Sequence, residues 1–167
     1  MKKYLLFLLL FLFLNNNLYA NENLINSISI EGIQRIDKET VTSYANISKG
    51  EVYTEEIGNS VLRNLFETNL FSNIQISFEA NILNIKLQEN PTINLVRFYG
   101  NSKVKDEDLE IEISLKERSV YSRSKVKKDI ERMLSLYQRA GRLSTEINPK
   151  LEMLDNNRVN LNYEITE

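Results

Sequence analysis

The chain contains no cysteine, no histidine and no tryptophan among its 167 residues. Without cysteine it can form no disulfide, no thiolate nucleophile and no cysteine-based zinc site, and without histidine it lacks the commonest metal ligand and general base. These absences disfavour an enzyme, and we expect no cofactor and no bound metal. Acidic side chains outnumber basic ones by 23 to 21, a balance that does not favour binding to nucleic acid.

The one long hydrophobic run lies at the amino terminus. Lys2 and Lys3 precede an unbroken apolar stretch over residues 4–14, three asparagines interrupt it, and Ala20 supplies a small residue before a plausible cleavage point. The stretch is shorter than the roughly 20 residues that a membrane-spanning helix needs. The pattern therefore predicts a secretory signal peptide over residues 1–20 and an exported protein.

The sequence pattern of residues 24–90 predicts a strand, two helices and two further strands. Asp37 and Thr54 are suitable N-caps for the two helices, and the second helix places apolar residues on one face at four-residue spacing. Two alternating runs follow, joined at a tight turn through Ala80 and Asn81. The segments that carry this pattern are SISIE, EEIGNSVLRNLFE, SNIQISFE and ILNIKLQ.

The same order begins again after Pro91, so residues 91–167 predict a second unit. Gly100 repeats Gly32 and Tyr121 repeats Tyr53, both at an offset of 68 residues. Lys105 stands where Asp37 caps the first unit, so we expect a weaker cap there. The fold class is therefore α+β, with two tandem units of β-α-α-β-β order.

Five segments carry a resemblance to a known family. They are IEGIQRI, LFETNLFSNIQI, LQENPTINLVRFYGN, YQRAGRLSTEI and NNRVNLNYEITE, and they extend from about Ile28 to Glu167. In order and spacing they resemble the first two POTRA domains of the BamA family of outer-membrane protein assembly factors. The resemblance implies that each unit is a small three-stranded mixed sheet covered on one face by two helices.

The resemblance also implies a location and partners. POTRA domains of this family lie on the periplasmic side of the outer membrane, where they receive unfolded outer-membrane proteins from periplasmic chaperones and work with the lipoproteins of the assembly complex. Complete members carry further POTRA domains and a membrane-embedded β-barrel, and no such barrel is present in this sequence. We therefore expect the sequence to be a fragment, or a gene product that ends early.

Edge strands are the candidate binding sites. A strand with unpaired backbone groups can accept an extended client strand by β-augmentation, which reads backbone and so suits many clients. We expect the strand after each long helix to be such an edge, and Pro149 supports this because proline cannot donate to a sheet ladder. The candidate residues are Asn73, Ile74, Gln75, Ile76, Ser77 and Phe78 in the first unit, and Thr145, Ile147 and Leu151 in the second.

Arg63 is a candidate chaperone contact. It lies on the polar side of the second helix, within a segment that resembles the family unit associated with chaperone delivery. A solvated surface arginine explains the same residue without any partner.

Three other classes of protein share part of this sequence pattern. Transporters of the two-partner secretion system and TamA-like translocation factors also carry POTRA domains before a barrel, although the run QENPTINLVRFYGN favours BamA. RNA-binding KH domains share the element order but need a GXXG loop between the helices, where this chain has ISKGEVY and LKERSVY. An enzyme could use paired carboxylates, either Glu55 with Glu56 or Asp106 with Asp108, but the dipole of the first helical turn already explains such pairs.

Overall fold

A computed structural model describes residues 23–167, so the predicted signal peptide over residues 1–20 lies outside the described residues. The first half of the described chain contains β1 (Ser27–Glu31), α1 (Lys38–Ala45), α2 (Glu55–Glu67), β2 (Phe71–Glu79) and β3 (Ile82–Glu89). The second half contains β4 (Thr92–Tyr99), α3 (Asp106–Glu112), α4 (Arg123–Arg139), β5 (Glu146–Leu154) and β6 (Arg158–Thr166). The predicted element order is confirmed.

Each half forms one three-stranded mixed sheet. In the first, the order is β1-β3-β2, with β1 parallel and β2 antiparallel to the central strand β3. In the second, the order is β4-β6-β5, again with one parallel and one antiparallel pair around the central strand. The α+β class and the β-α-α-β-β arrangement of both units are therefore confirmed.

The helices of the first unit begin where their caps predict. The Asp37 carboxylate accepts a hydrogen bond from the Thr40 amide at 2.7 Å, and Thr54 Oγ1 accepts one from the Ile57 amide at 3.3 Å. The helix α1 ends after Ala45, because Asn46 adopts a left-handed conformation there. Asparagine tolerates this conformation better than most residues.

The first core lies between the helices and the inner face of the sheet. Val41, Val61, Leu65, Leu83 and Ile85 are almost completely buried there. Phe66, by contrast, lies outside this core, because its side chain is 44% exposed.

The second unit reaches the same fold with different local devices. Lys105 precedes α3 without a side-chain cap, as expected. Ser122 caps α4, and Gly141, at φ 76°, ends it in a left-handed turn in which the Arg142 amide donates to the Tyr137 carbonyl at 2.9 Å. The 6→1 bond of this turn satisfies a carbonyl that the helix end would otherwise leave free.

A buried carboxylate distinguishes the second core from the first. Asp129 on α4 is fully buried and accepts hydrogen bonds from the Ser114 amide at 2.9 Å and the Leu115 amide at 3.1 Å. Arg132 forms an ion pair with it from the next helical turn. Asp129 therefore fixes the segment after α3 against α4, whereas the equivalent position 68 residues earlier holds the apolar Val61.

The two units have separate buried clusters, one drawn from residues 25–87 and the other from residues 93–165. The division of the chain at Pro91 into domains of residues 24–90 and 91–167 stays a prediction. Within residues 23–167, none of the helices combines the length and apolar character that crossing a membrane would require.

Candidate functional site

The strands β2 and β5 lie at the margins of their sheets. Each is hydrogen-bonded along one side only, β2 to β3 and β5 to β6. In the described part of the chain, no backbone hydrogen bond reaches the other side of either strand. Their free N–H and C=O groups therefore face outward.

The opposite margins lie at β1 and β4, where the segment between the helices bonds to the chain at the start of β4 or just before β1. In the first unit, the Ile25 amide donates to the Glu51 carbonyl and the Gly50 amide to the Ile25 carbonyl, both at 2.8 Å. In the second, Ile93 exchanges a pair of 2.8 Å hydrogen bonds with Ser119 and Arg118. The segment between the helices thus covers the start of the β4 margin, and in the first unit it borders the chain just before β1.

The structure places most of the predicted binding residues on these edges. Six lie within β2: Asn73, Ile74, Gln75, Ile76, Ser77 and Phe78. Ile147 and Leu151 lie within β5, but Thr145 precedes its first residue, so its placement in the strand was wrong. Ile74 and Ile147 are buried; they could offer a partner only their backbone groups.

An apolar groove of about 470 Å³ lies between α4 and the edge strand β5. Its apolar lining consists of Tyr121, Val126, Ile130 and Pro149. Farther along β5, Leu151 and Met153 are 41% and 66% exposed. They share a sheet face with the buried Ile147, so this part of the helix-side face is uncovered. We call the cavity, together with the uncovered face at Leu151 and Met153 that continues from it, the β5 groove.

Glu89 fixes the junction between the two units. Its side chain is 1% exposed and accepts hydrogen bonds from the backbone amides of Gln34 at 2.7 Å, Arg35 at 2.9 Å and Ile36 at 3.2 Å. The Arg35 guanidinium pairs with the same carboxylate at 2.9 Å and donates to the Asn90 carbonyl at 2.6 Å and to Thr92. Arg35 thereby links the loop after β1 to the start of the second unit.

The protonation of Glu89 is tied to these contacts. Burial by itself raises the pKa of the carboxyl group, but the three amide donors and the Arg35 guanidinium outweigh that effect. The pKa of Glu89 therefore lies below its ordinary value of 4.5. The carboxylate is charged at neutral pH, as its four donors require.

A second set of polar contacts connects the units directly. Asn69, after α2, accepts hydrogen bonds through Oδ1 from the hydroxyls of Ser122 at 2.8 Å and Ser124 at 2.9 Å at the start of α4. The Asn90 side chain donates to the Asn69 carbonyl, and the Asn157 side chain donates to the Glu89 carbonyl. The two free edges are thus held in a defined relative placement.

Comparison with known proteins assigns a family to part of this arrangement. A family model described as "POTRA: Surface antigen variable number repeat" matches residues 91–167. This range contains the whole of the second sheet and both of its helices. The second unit is therefore similar in sequence to POTRA domains.

Relatives with named functions match both units. The chain is 23% identical over 146 residues to the outer membrane protein assembly factor BamA of Neisseria meningitidis serogroup B, a match that covers 86% of this chain and 18% of that protein. It is 26% identical over 156 residues to BamA of Neorickettsia risticii, covering 93% of this chain and 21% of that protein. The chain thus spans about a fifth of the length of these relatives.

Solved structures show the POTRA fold across both units. The chain resembles the POTRA1-2 structure from the periplasmic domain of Anabaena Omp85 with a TM-score of 0.58 and 17% identity, covering 84% of this chain and 93% of that one. The amino-terminal domain of Omp85 from Thermosynechococcus elongatus gives a TM-score of 0.62 at 14% identity, covering 84% of this chain and 61% of that one. Together, the comparisons show that the chain is similar in sequence to BamA proteins and in fold to the POTRA domains of Omp85.

Arg63 is exposed on α2 of the first POTRA-fold unit. Arg63 lies on the helix and the predicted edge is the strand β2, so a partner bound at Arg63 and a strand added to β2 would contact different elements.

Proposed function

We propose that this chain is a periplasmic client-binding module of an outer-membrane protein assembly factor. Its POTRA units bind extended segments of unfolded outer-membrane proteins and pass them to a membrane β-barrel. The BamA relatives support this proposal, because their names give outer-membrane protein assembly as their function. The signal peptide predicted for residues 1–20 is consistent with a periplasmic location.

The observation that carries the proposal is the pair of free sheet edges. Unfolded clients share no common side-chain pattern, but every one of them has a backbone with alternating donors and acceptors. Edges such as β2 and β5 can pair with that backbone, whereas the beginning of β4 is already bonded to the segment between the helices. β-Augmentation therefore explains how one surface would accept many sequences.

The similarity to BamA proteins also supports two other kinds of partner. A periplasmic chaperone would deliver the client, with Arg63 as its contact on the first unit, and lipoproteins of the assembly complex would bind elsewhere on the module. Because Arg63 lies on α2 and the edge lies on β2, a chaperone could remain bound while its client is transferred.

Site-specific photo-crosslinking tests the proposal. A photoreactive residue would be placed singly at Gln75 or Ser77 on β2, or at Thr145 just before β5, and the chain mixed with a urea-unfolded outer-membrane barrel protein as it is diluted. We expect strong crosslinks from these positions, because an added strand would lie alongside each of them.

Matched probes at Asn59 and Lys128, which are exposed on α2 and α4, serve as controls. Their crosslinks should be several-fold weaker than those at the edges. Equal yields from the edge and helix positions would contradict β-augmentation as the mode of client binding.

A further inference from the structure

The two edges differ in how the space between the long helix and the edge strand is filled. In the first unit, the rings of Tyr53 and Phe78 stack with centroids 4.4 Å apart and planes 12° from parallel. Tyr53 also lies against α2 at Gly58, where an added Cβ would come within 2.6 Å of the Tyr53 hydroxyl. The side chains of the first unit thus fill its own groove.

The internal repeat identifies the corresponding positions in the second unit. Gly32 approaches the Leu87 carbonyl and Gly100 approaches the Ile165 carbonyl in the same way, so these two positions of the central strands are equivalent. Four residues earlier on each central strand, Leu83 pairs with Phe78 and Leu161 pairs with Leu151. Leu151 therefore occupies the position of Phe78.

The second unit lacks the stacked pair of aromatic rings that fills the space between helix and edge strand in the first unit. Tyr121 repeats Tyr53, but Leu151 replaces the phenylalanine, and its side chain is 41% exposed. Val126 takes the place of Gly58 and is buried, which removes the recess that receives Tyr53 in the first unit. The β5 groove, with Tyr121 in its wall, is the space that results.

We propose that the β5 groove of the second unit is the receptive client site and that it takes an aromatic side chain of the added strand against Tyr121. This inference rests on the proposed function and assigns it to one of the two edges. Phe78 shows, within the same chain, that an aromatic ring fits between the long helix and the edge strand. The first unit, already filled, contributes backbone pairing at β2 without such a pocket.

Charge at the rim adds a second preference. Arg123 and Lys127 line the groove together with a single anion, Glu131, so the rim carries a net positive charge. An acidic residue near the aromatic one would be favoured by this rim, although a solvent-exposed charge contact is weak. The preferred occupant is therefore an extended segment of alternating polar and apolar residues with an aromatic residue and a neighbouring acidic one.

Peptide binding tests the assignment. A labelled peptide of about ten residues is long enough to pair with the length of β5, and it would carry phenylalanine at its centre, with a matched peptide carrying alanine there. Fluorescence anisotropy should show that one phenylalanine peptide binds to each chain. The alanine peptide should bind about tenfold more weakly, because it lacks the ring that would be buried and stacked on Tyr121.

Two substitutions interchange the states of the grooves. Leu151→Phe should fill the β5 groove as Phe78 fills the first, and weaken binding of the phenylalanine peptide about tenfold. Phe78→Leu should open the first groove and allow a second peptide to bind. Leu143→Phe adds the same ring at a residue that is 82% exposed and precedes β5, off the sheet face that Leu151 shares with Pro149, so its binding should match that of the unsubstituted chain.

The outcomes separate this inference from the proposed function. If both peptides bind equally well, or if Leu151→Phe binds like Leu143→Phe, the aromatic site at β5 is wrong while edge binding stands. If neither peptide binds and the unfolded barrel protein gives no edge crosslinks, both proposals fail.

Discussion

Replacing Gly100 by alanine should destabilise the second unit by about 3 kcal/mol, because two costs add at this residue. Gly100 has φ 84°, a conformation that disfavours any side chain, and an added Cβ would lie 2.1 Å from the Ile165 carbonyl oxygen. That oxygen belongs to the backbone of β6, so it cannot move without shifting the central strand. Urea unfolding followed by circular dichroism would measure the loss as a lower midpoint.

Gly141→Ala is the matched control for this prediction. Gly141 also has a positive φ, 76°, but nothing lies within 4 Å of the position of its added Cβ. Only the conformational cost applies there, so we expect a loss of about 1 kcal/mol. Equal losses at Gly100 and Gly141 would show that the close approach to β6 contributes nothing.

Replacing Glu89 by alanine should cost about 3 kcal/mol at neutral pH, since it leaves buried donors without an acceptor. The amides of Gln34, Arg35 and Ile36 and the Arg35 guanidinium all donate to this one carboxylate. The loss should appear in urea unfolding of the first unit. It should also loosen the junction, which a spectroscopic distance between labels on the two units would report as a broader distribution.

The contribution of Glu89 should depend on pH in one direction. Its pKa in the folded chain is lowered from 4.5, so its stabilising effect is fully present above pH 4.5 and is lost as the pH falls below that value through the folded pKa. The difference in stability between the unsubstituted chain and Glu89→Gln should therefore shrink as unfolding is measured at successively lower pH below 4.5. A difference that stays constant over this range would contradict the assignment of the charged form to the junction.

A surface ion pair provides the control for Glu89. Glu31 and Lys86 lie 3.7 Å apart with side chains 62% and 63% exposed. Water screens such a pair, so Glu31→Ala should change stability by no more than about 0.5 kcal/mol.

Local sequence signals predicted the elements well because the responsible interactions are local. The caps at Asp37 and Thr54 and the tight turn at Ala80 and Asn81 each depend on residues within one or two turns of chain. The repeat at an offset of 68 residues then predicted the second unit from the first. Both glycines of the repeat proved to be sites of close backbone approach.

Features that depend on distant residues were not predicted. Asp129 interrupts an apolar helix face, and only the folded chain shows that Ser114 and Leu115 supply its donors. Glu89 looks like a strand end in the sequence, although its partners lie more than 50 residues away. Leu151 follows the alternation of a buried strand but remains exposed, because β5 extends beyond the cover of α4.

Amide hydrogen exchange of the chain with and without an unfolded outer-membrane barrel protein tests the central claim most directly. If extended clients pair with the free edges, exchange should slow within Glu146–Leu154 and Phe71–Glu79, while the central strands β3 and β6, already bonded on both sides, should change little. Unchanged exchange in both edge strands at a client concentration that saturates binding would contradict the account.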